Sequence, residues 1–196
     1  MKYSDYLQKT SLDKQELLAL AWGTLVEDPP EGGFANLPAP PMLMLDRVTL
    51  IEHKGSRGRI IAEQDVNLDA WFFQCHFRTD PVQPGCLGVD AIWQLLGIYT
   101  GIRGAKGAGR ALGVGEIEFL GQIRPHNKVV RYEIDIRRFS DLPSAGSAIA
   151  VGNGRVYVDD ELIYNLTDAK VGIFLGIRYE DYPHRSPKAV GGVMRR

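Results

Sequence analysis

Across residues 129–139 apolar and charged side chains alternate strictly, Val130, Tyr132, Ile134 and Ile136 against Arg131, Glu133, Asp135 and Arg137. A period of two sends each set to one face of an extended chain, so this stretch predicts a half-buried antiparallel strand. Residues 111–120, 148–158 and 162–174 read as further strands, the last two joined at Asp159-Asp160 into a hairpin. Residues 42–50 and 57–63 predict a second hairpin, turned around Gly55 and Ser56. Residues 85–102 differ: Leu87, Val89, Ala91, Ile92, Trp93, Leu95, Leu96, Ile98, Tyr99 and Ile102 surround a helix on almost every side. A helix of that kind has to be buried.

A shorter helix is expected from about Asp13, which caps it while Glu16 returns the hydrogen bond, with Gly23 near its end. The Pro/Gly-rich connector 29–41 stops any helix, and glycines at 101, 104, 107 and 109 loosen the chain after the apolar helix. No internal repeat is present. One apolar helix among amphipathic strands implies an α+β fold, a sheet curled around the helix with one strand face inward. The expected organisation is one domain over 1–178, with an N-terminal helix, followed by a tail over 179–196. That tail is rich in Pro, Gly, Arg and Lys without periodicity and is expected to be mobile or partner-dependent.

At 196 residues and 44% apolar, the chain can bury a proper core. Its 23 basic and 24 acidic residues leave a formal charge of −1, which gives no global reason to bind nucleic acid or an anionic membrane. The first 18 residues lack the basic start and apolar run of a secretory signal, and no stretch of about 18 uninterrupted apolar residues follows. A soluble, cytoplasmic protein is expected. The two cysteines, Cys75 and Cys86, are expected to be reduced packing residues.

Two features carry chemistry. Asp90 and Gln94 lie four apart on the apolar helix, so a carboxyl and an amide enter greasy surroundings on one face. There a carboxyl is favoured in its protonated form, able to act as an acid. Gln94 is placed either to hold Asp90 or to satisfy backbone. Upstream, His76 sits among aromatics in Trp71-Phe72-Phe73-Gln74-Cys75-His76-Phe77, before a loop stiffened by Pro81 and Pro84. A lone histidine beside apolar residues is ordinarily a hydrogen-bonded core residue. Here it is followed by Gly85, which opens the buried helix with backbone N–H groups that have no internal partner and can receive developing negative charge. Cys75, His76, Cys86 and Asp90 lack metal-site spacing, and the glycines over 101–109 follow a helix and precede a strand, the reverse of a phosphate loop.

The segments Leu37-Pro38-Ala39-Pro40, Met42-Leu43-Met44-Leu45-Asp46-Arg47, the block from His76 to Gln94, Gly109-Arg110-Ala111-Leu112-Gly113-Val114-Gly115-Glu116 and Asp168-Ala169-Lys170-Val171-Gly172 resemble the β-hydroxydecanoyl acyl-carrier-protein dehydratase/isomerases. The resemblance implies a hot-dog fold, a homodimer, no metal or cofactor, and a tunnel for acyl-phosphopantetheine where the subunits meet. It implies His76 as the base facing Asp90 of the other chain as the acid, with Val82, Gly85 and Gln94 at the substrate and oxyanion site. Aspartate rather than glutamate at 90 favours the branch that isomerises trans-2 to cis-3 enoyl products. Gln83 departs from the methionine common in the family. Arg137, Arg138 and Lys170 read either as a rim for an acidic acyl carrier protein or as a solvated strand face. Other classes on the same fold are a non-catalytic acyl-binding protein, a thioesterase and an enoyl-thioester hydratase.

Overall fold

The computed structural model describes residues 1–177. Its strands are β1 (Arg47–Lys54), β2 (Arg57–Asp65), β3 (Ala108–Gly113), β4 (Glu116–Phe119), β5 (Val129–Leu142), β6 (Ser147–Val158) and β7 (Glu161–Phe174). All pair antiparallel in one curved sheet of order β1-β2-β5-β6-β7-β3, with β4 also bonded to β7. The α+β arrangement expected from the pattern, and the hot-dog fold that the resemblance implies, are the ones found. Alternation decides which face turns in: Val130, Tyr132 and Ile134 of β5 are fully buried, and their charged neighbours stand on the outer face. There Glu133 accepts from Arg59 at 2.9 Å and from Arg131 at 3.0 Å, while Arg155 reaches Asp135 at 2.7 Å.

Helices α1 (Tyr3–Tyr6) and α2 (Lys14–Ala21) precede the sheet, and α3 (Gly85–Ile102) packs against β7, β6, β5, β2 and β3. The Asp13–Glu16 capping box of α2 is complete; the single turn of α1 has no sequence signature. By length and composition α3 is apolar enough to cross a membrane, but 72% of it is buried inside this fold. Between β6 and β7, Asp159 and Asp160 both take positive φ, 48° and 70°, the geometry of a tight two-residue hairpin turn.

Three expectations are corrected. Residues 42–46 are not strand: the Met42 carbonyl accepts from the Gln94 side-chain amide on α3 and the Met44 N–H donates to its oxygen, so β1 begins only at Arg47 and runs on to Lys54. The strand expected over 111–120 is two, β3 and β4, because both follow β7 on either side of Asp168, whose φ of 53° bends the ladder between Lys170 and Thr167. Cys75 and Cys86 are free thiols, but both are exposed rather than packed. The tail expected over 179–196 lies outside the described residues.

Candidate active site

The 3-10 turn Trp71–Gln74 delivers His76 to the loop before α3. Val82 then grips it twice: the Val82 N–H donates to the His76 carbonyl at 2.8 Å, and the His76 ring nitrogen Nδ1 lies 2.9 Å from the Val82 carbonyl. A carbonyl only accepts, so Nδ1 carries the proton and Nε2 is left with a free lone pair. Phe77 stacks on the imidazole at 3.9 Å between centroids. The ring therefore has one tautomer and one orientation, which is what a base needs.

His76 opens on a cavity of about 810 Å³, walled by Phe77, Val82, Val89, Trp93, Phe119 and Tyr164 and reaching Gly85 and Cys86 at the start of α3. No side chain caps that helix end, and among the described residues the amides of Gly85 and Cys86 have no acceptor. The approach is tight: a Cβ on Gly85 would lie 2.7 Å from Phe119 Cε1, and one on Gly88 2.5 Å from Tyr164 Cε2. Phe119 and Tyr164 meet edge to face at 4.7 Å. Unpaired donors at the positive end of a helix, next to a free imidazole nitrogen in a largely apolar cavity, suit a reaction that builds up negative charge on an oxygen.

Asp90 is elsewhere. It lines a second cavity of about 270 Å³, between α3, β3 and the connector at Ala35–Pro38. Gln94, buried at 6% exposure, donates through Nε2 to Asp90 Oδ2 at 2.7 Å and to the Met42 carbonyl at 2.8 Å, and accepts the Met44 N–H at 3.0 Å. Both amide hydrogens and the carbonyl are thus used, and among the described residues Asp90 Oδ1 has no hydrogen-bond partner. Within one chain His76 and Asp90 are not brought together: they face separate cavities, with Trp93 lining both.

Arg137, Arg138 and Lys170 do come together. They line a cavity of about 710 Å³ with Arg57, Asp135 and Asp168, and this cavity shares no lining residue with the other two. Arg137 pairs with Asp168 at 2.6 Å, whereas Arg57, Arg138 and Lys170 have no carboxylate within ion-pair distance among the described residues. Sequence reasoning missed Trp93, Phe119 and Tyr164 as walls of the site. Their aromatic size was visible, but the strand and helix faces they share are set by tertiary packing.

A FabA-like domain model matches residues 37–167, which holds His76, Gly85, Asp90 and Gln94. The chain belongs to the FabA-like domain family. Among solved structures it is similar to the dehydratase heterocomplex ApeI:P from Xenorhabdus doucetiae, at 12% identity and a TM-score of 0.51, covering 72% of this chain and 89% of that one. It is also similar to a hypothetical thioesterase from Streptococcus pneumoniae TIGR4 solved with coenzyme A, at 13% identity and a TM-score of 0.44, covering 64% and 83%. At 12% identity the likeness to the dehydratase heterocomplex is one of fold. Membership of the FabA-like family supports a hot-dog dehydratase, a hydro-lyase in kind.

Proposed function

We propose that this protein dehydrates a (3R)-3-hydroxyacyl thioester carried on acyl carrier protein, notably the 3-hydroxydecanoyl chain, and isomerises the trans-2-enoyl product to cis-3. The observation that carries this reading is the His76 Nε2 lone pair, freed by the Val82 carbonyl, in the same cavity as the uncapped amides of α3.

The thioester oxygen rests on the Gly85 and Cys86 amides, which makes the C2 proton acidic; His76 Nε2 removes it, and the electron pair moves toward that oxygen. The C3–O bond then breaks as Asp90 gives its proton to the departing hydroxyl, releasing water. Because one chain keeps His76 and Asp90 in separate cavities, the acid comes from Asp90 of a second copy in a homodimer. For isomerisation the His76 proton first passes to the Asp90 carboxylate; His76 then removes a C4 proton, and Asp90 gives its proton to C2 of the dienolate. Gln94, bonded to Oδ2, leaves Asp90 Oδ1 to hold the mobile proton. The three basic residues at Arg137, Arg138 and Lys170 suit an acidic carrier docked outside the sheet, in the cytoplasm.

Purified protein incubated with 3-hydroxydecanoyl thioester is expected to yield trans-2-decenoyl and then cis-3-decenoyl products by chromatography. Free 3-hydroxy acid alone would mean a thioesterase instead. His76→Ala and Asp90→Asn are each expected to lower kcat at least ~10²-fold with unchanged circular dichroism, and near-normal turnover in either would refute the assignment.

A further inference from the structure

Four glycines lie in α3, and three of them have a packing reason. A Cβ on Gly85 would meet the Phe119 ring at 2.7 Å, one on Gly88 the Tyr164 ring at 2.5 Å, and one on Gly101 the Tyr6 hydroxyl at 2.8 Å. Gly97 differs, because a Cβ there would meet nothing within 4 Å. Glycine inside a helix costs stability against alanine, and no close neighbour explains that cost here. What Gly97 borders is the Asp90 cavity of about 270 Å³, which it lines together with Asp90 and Gln94. Positions 90, 94 and 97 share one helix face, so the cavity follows α3 for about two turns away from the carboxyl. Leu37, Met42, Ala111 and Val171 add to its wall.

The dehydratase reading fixes which way a substrate runs, and the inference rests on that reading. The C1 oxygen sits on the Gly85 and Cys86 amides of one copy, and the C3 hydroxyl meets Asp90 of the second. C4 and the carbons after it are therefore delivered into the cavity that Asp90 lines. We propose that Gly97 sets the acyl chain length the enzyme accepts, its missing side chain leaving room for the methyl end of a chain of about ten carbons. Gly97 lies seven residues beyond Asp90, a rise of roughly 10 Å along the helix. An extended chain advances about 1.2 Å per bond, so roughly eight bonds beyond C3 bring its end level with Gly97. A side chain at 97 would lean back toward the helix N-terminus, over the turn that carries Gln94. That would leave about one turn, ~5 Å, or room for roughly seven carbons in all.

The test measures kcat/KM for dehydration of 3-hydroxyacyl N-acetylcysteamine thioesters with six-carbon and ten-carbon chains, by the native protein and by Gly97→Leu. The native protein is expected to use the ten-carbon chain at least as well as the six-carbon one. Gly97→Leu is expected to lower the ten-to-six ratio roughly tenfold or more, since the excluded carbons lose their apolar contacts. Gly97→Ala is expected to raise the unfolding temperature, because a helical glycine is replaced without a clash. A ratio unchanged in Gly97→Leu overturns the assignment, including the case where both chains lose turnover equally, since the new side chain would then disturb the reacting end. A native protein that already disfavours the ten-carbon chain overturns it as well. So does a Gly97→Leu that fails to fold by circular dichroism or a Gly97→Ala that unfolds more readily, because the space beside Gly97 would then not be open. Absence of dehydration of either thioester by the native protein overturns the dehydratase reading itself, and the role of Gly97 with it.

Discussion

At the scale of the residue, two missing side chains matter as much as the charged ones. Gly88→Ala would press a Cβ into the ring of Tyr164, which is 2% exposed and cannot retreat. It is expected to lower the free energy of unfolding in urea by about 1–3 kcal/mol. Gly85→Ala meets Phe119 instead, which is 53% exposed and free to swing away. That variant should keep its stability to within about 1 kcal/mol and lose turnover, because the displaced ring and the new methyl crowd the oxygen's seat on the amides. Equal stability loss in the two variants would contradict this difference. Gly85 was legible as the helix opening from the Pro84-Gly85 step; Gly88 was not, because nothing local shows that a tyrosine 76 positions later packs on it.

At the scale of the element, period alone carried most of the architecture. The strict alternation of β5 and the all-round apolar surface of α3 are signals of burial, and burial is what the hydrophobic effect determines. Residues 42–46 defeated it because the Met44 N–H and the Met42 carbonyl are satisfied by the Gln94 side chain, 50 and 52 residues away, which no local pattern records. That contact gives a prediction. Gln94→Leu keeps the volume but strands the Met44 N–H, the Met42 carbonyl and Asp90 at once, and is expected to cost about 2–4 kcal/mol in chemical denaturation. Gln94→Glu retains an acceptor for Met44 and so should cost less; the reverse order would mean that the amide does not anchor this segment.

For the whole molecule, the site is the part least visible in a single sequence. His76 and Asp90 could be named from their surroundings, but their placement in separate cavities depends on how α3 lies across the sheet. If two chains share each site, mixing His76→Ala with Asp90→Asn under subunit exchange should restore about a quarter of native activity, from half the dimers with one intact site each; no recovery would indicate a site inside one chain. Acid stability is also a property of the whole fold. The Arg47 guanidinium holds Asp65 below the usual carboxylate range, and N–H donors led by the Val129 amide do the same for Asp159. For Glu133 burial pushes up, but the bonds from Arg59 and Arg131 outweigh it. A carboxyl lowered in the folded state stabilises fully above its unfolded value, about 4, and that contribution is lost as pH falls through the folded one. The urea midpoint should therefore drop below about pH 4, and a midpoint that climbed there would contradict the assignments.

The rings of Phe119 and Tyr164 occupy the places where Gly85 and Gly88 lack a Cβ, and together they act as a detent on α3. Slippage by one turn would drive Ala91 or Ile92 into the tyrosine, so the helix is parked at a single setting along its axis. The unpaired Gly85 and Cys86 amides are thereby held at one setting beside the His76 cavity.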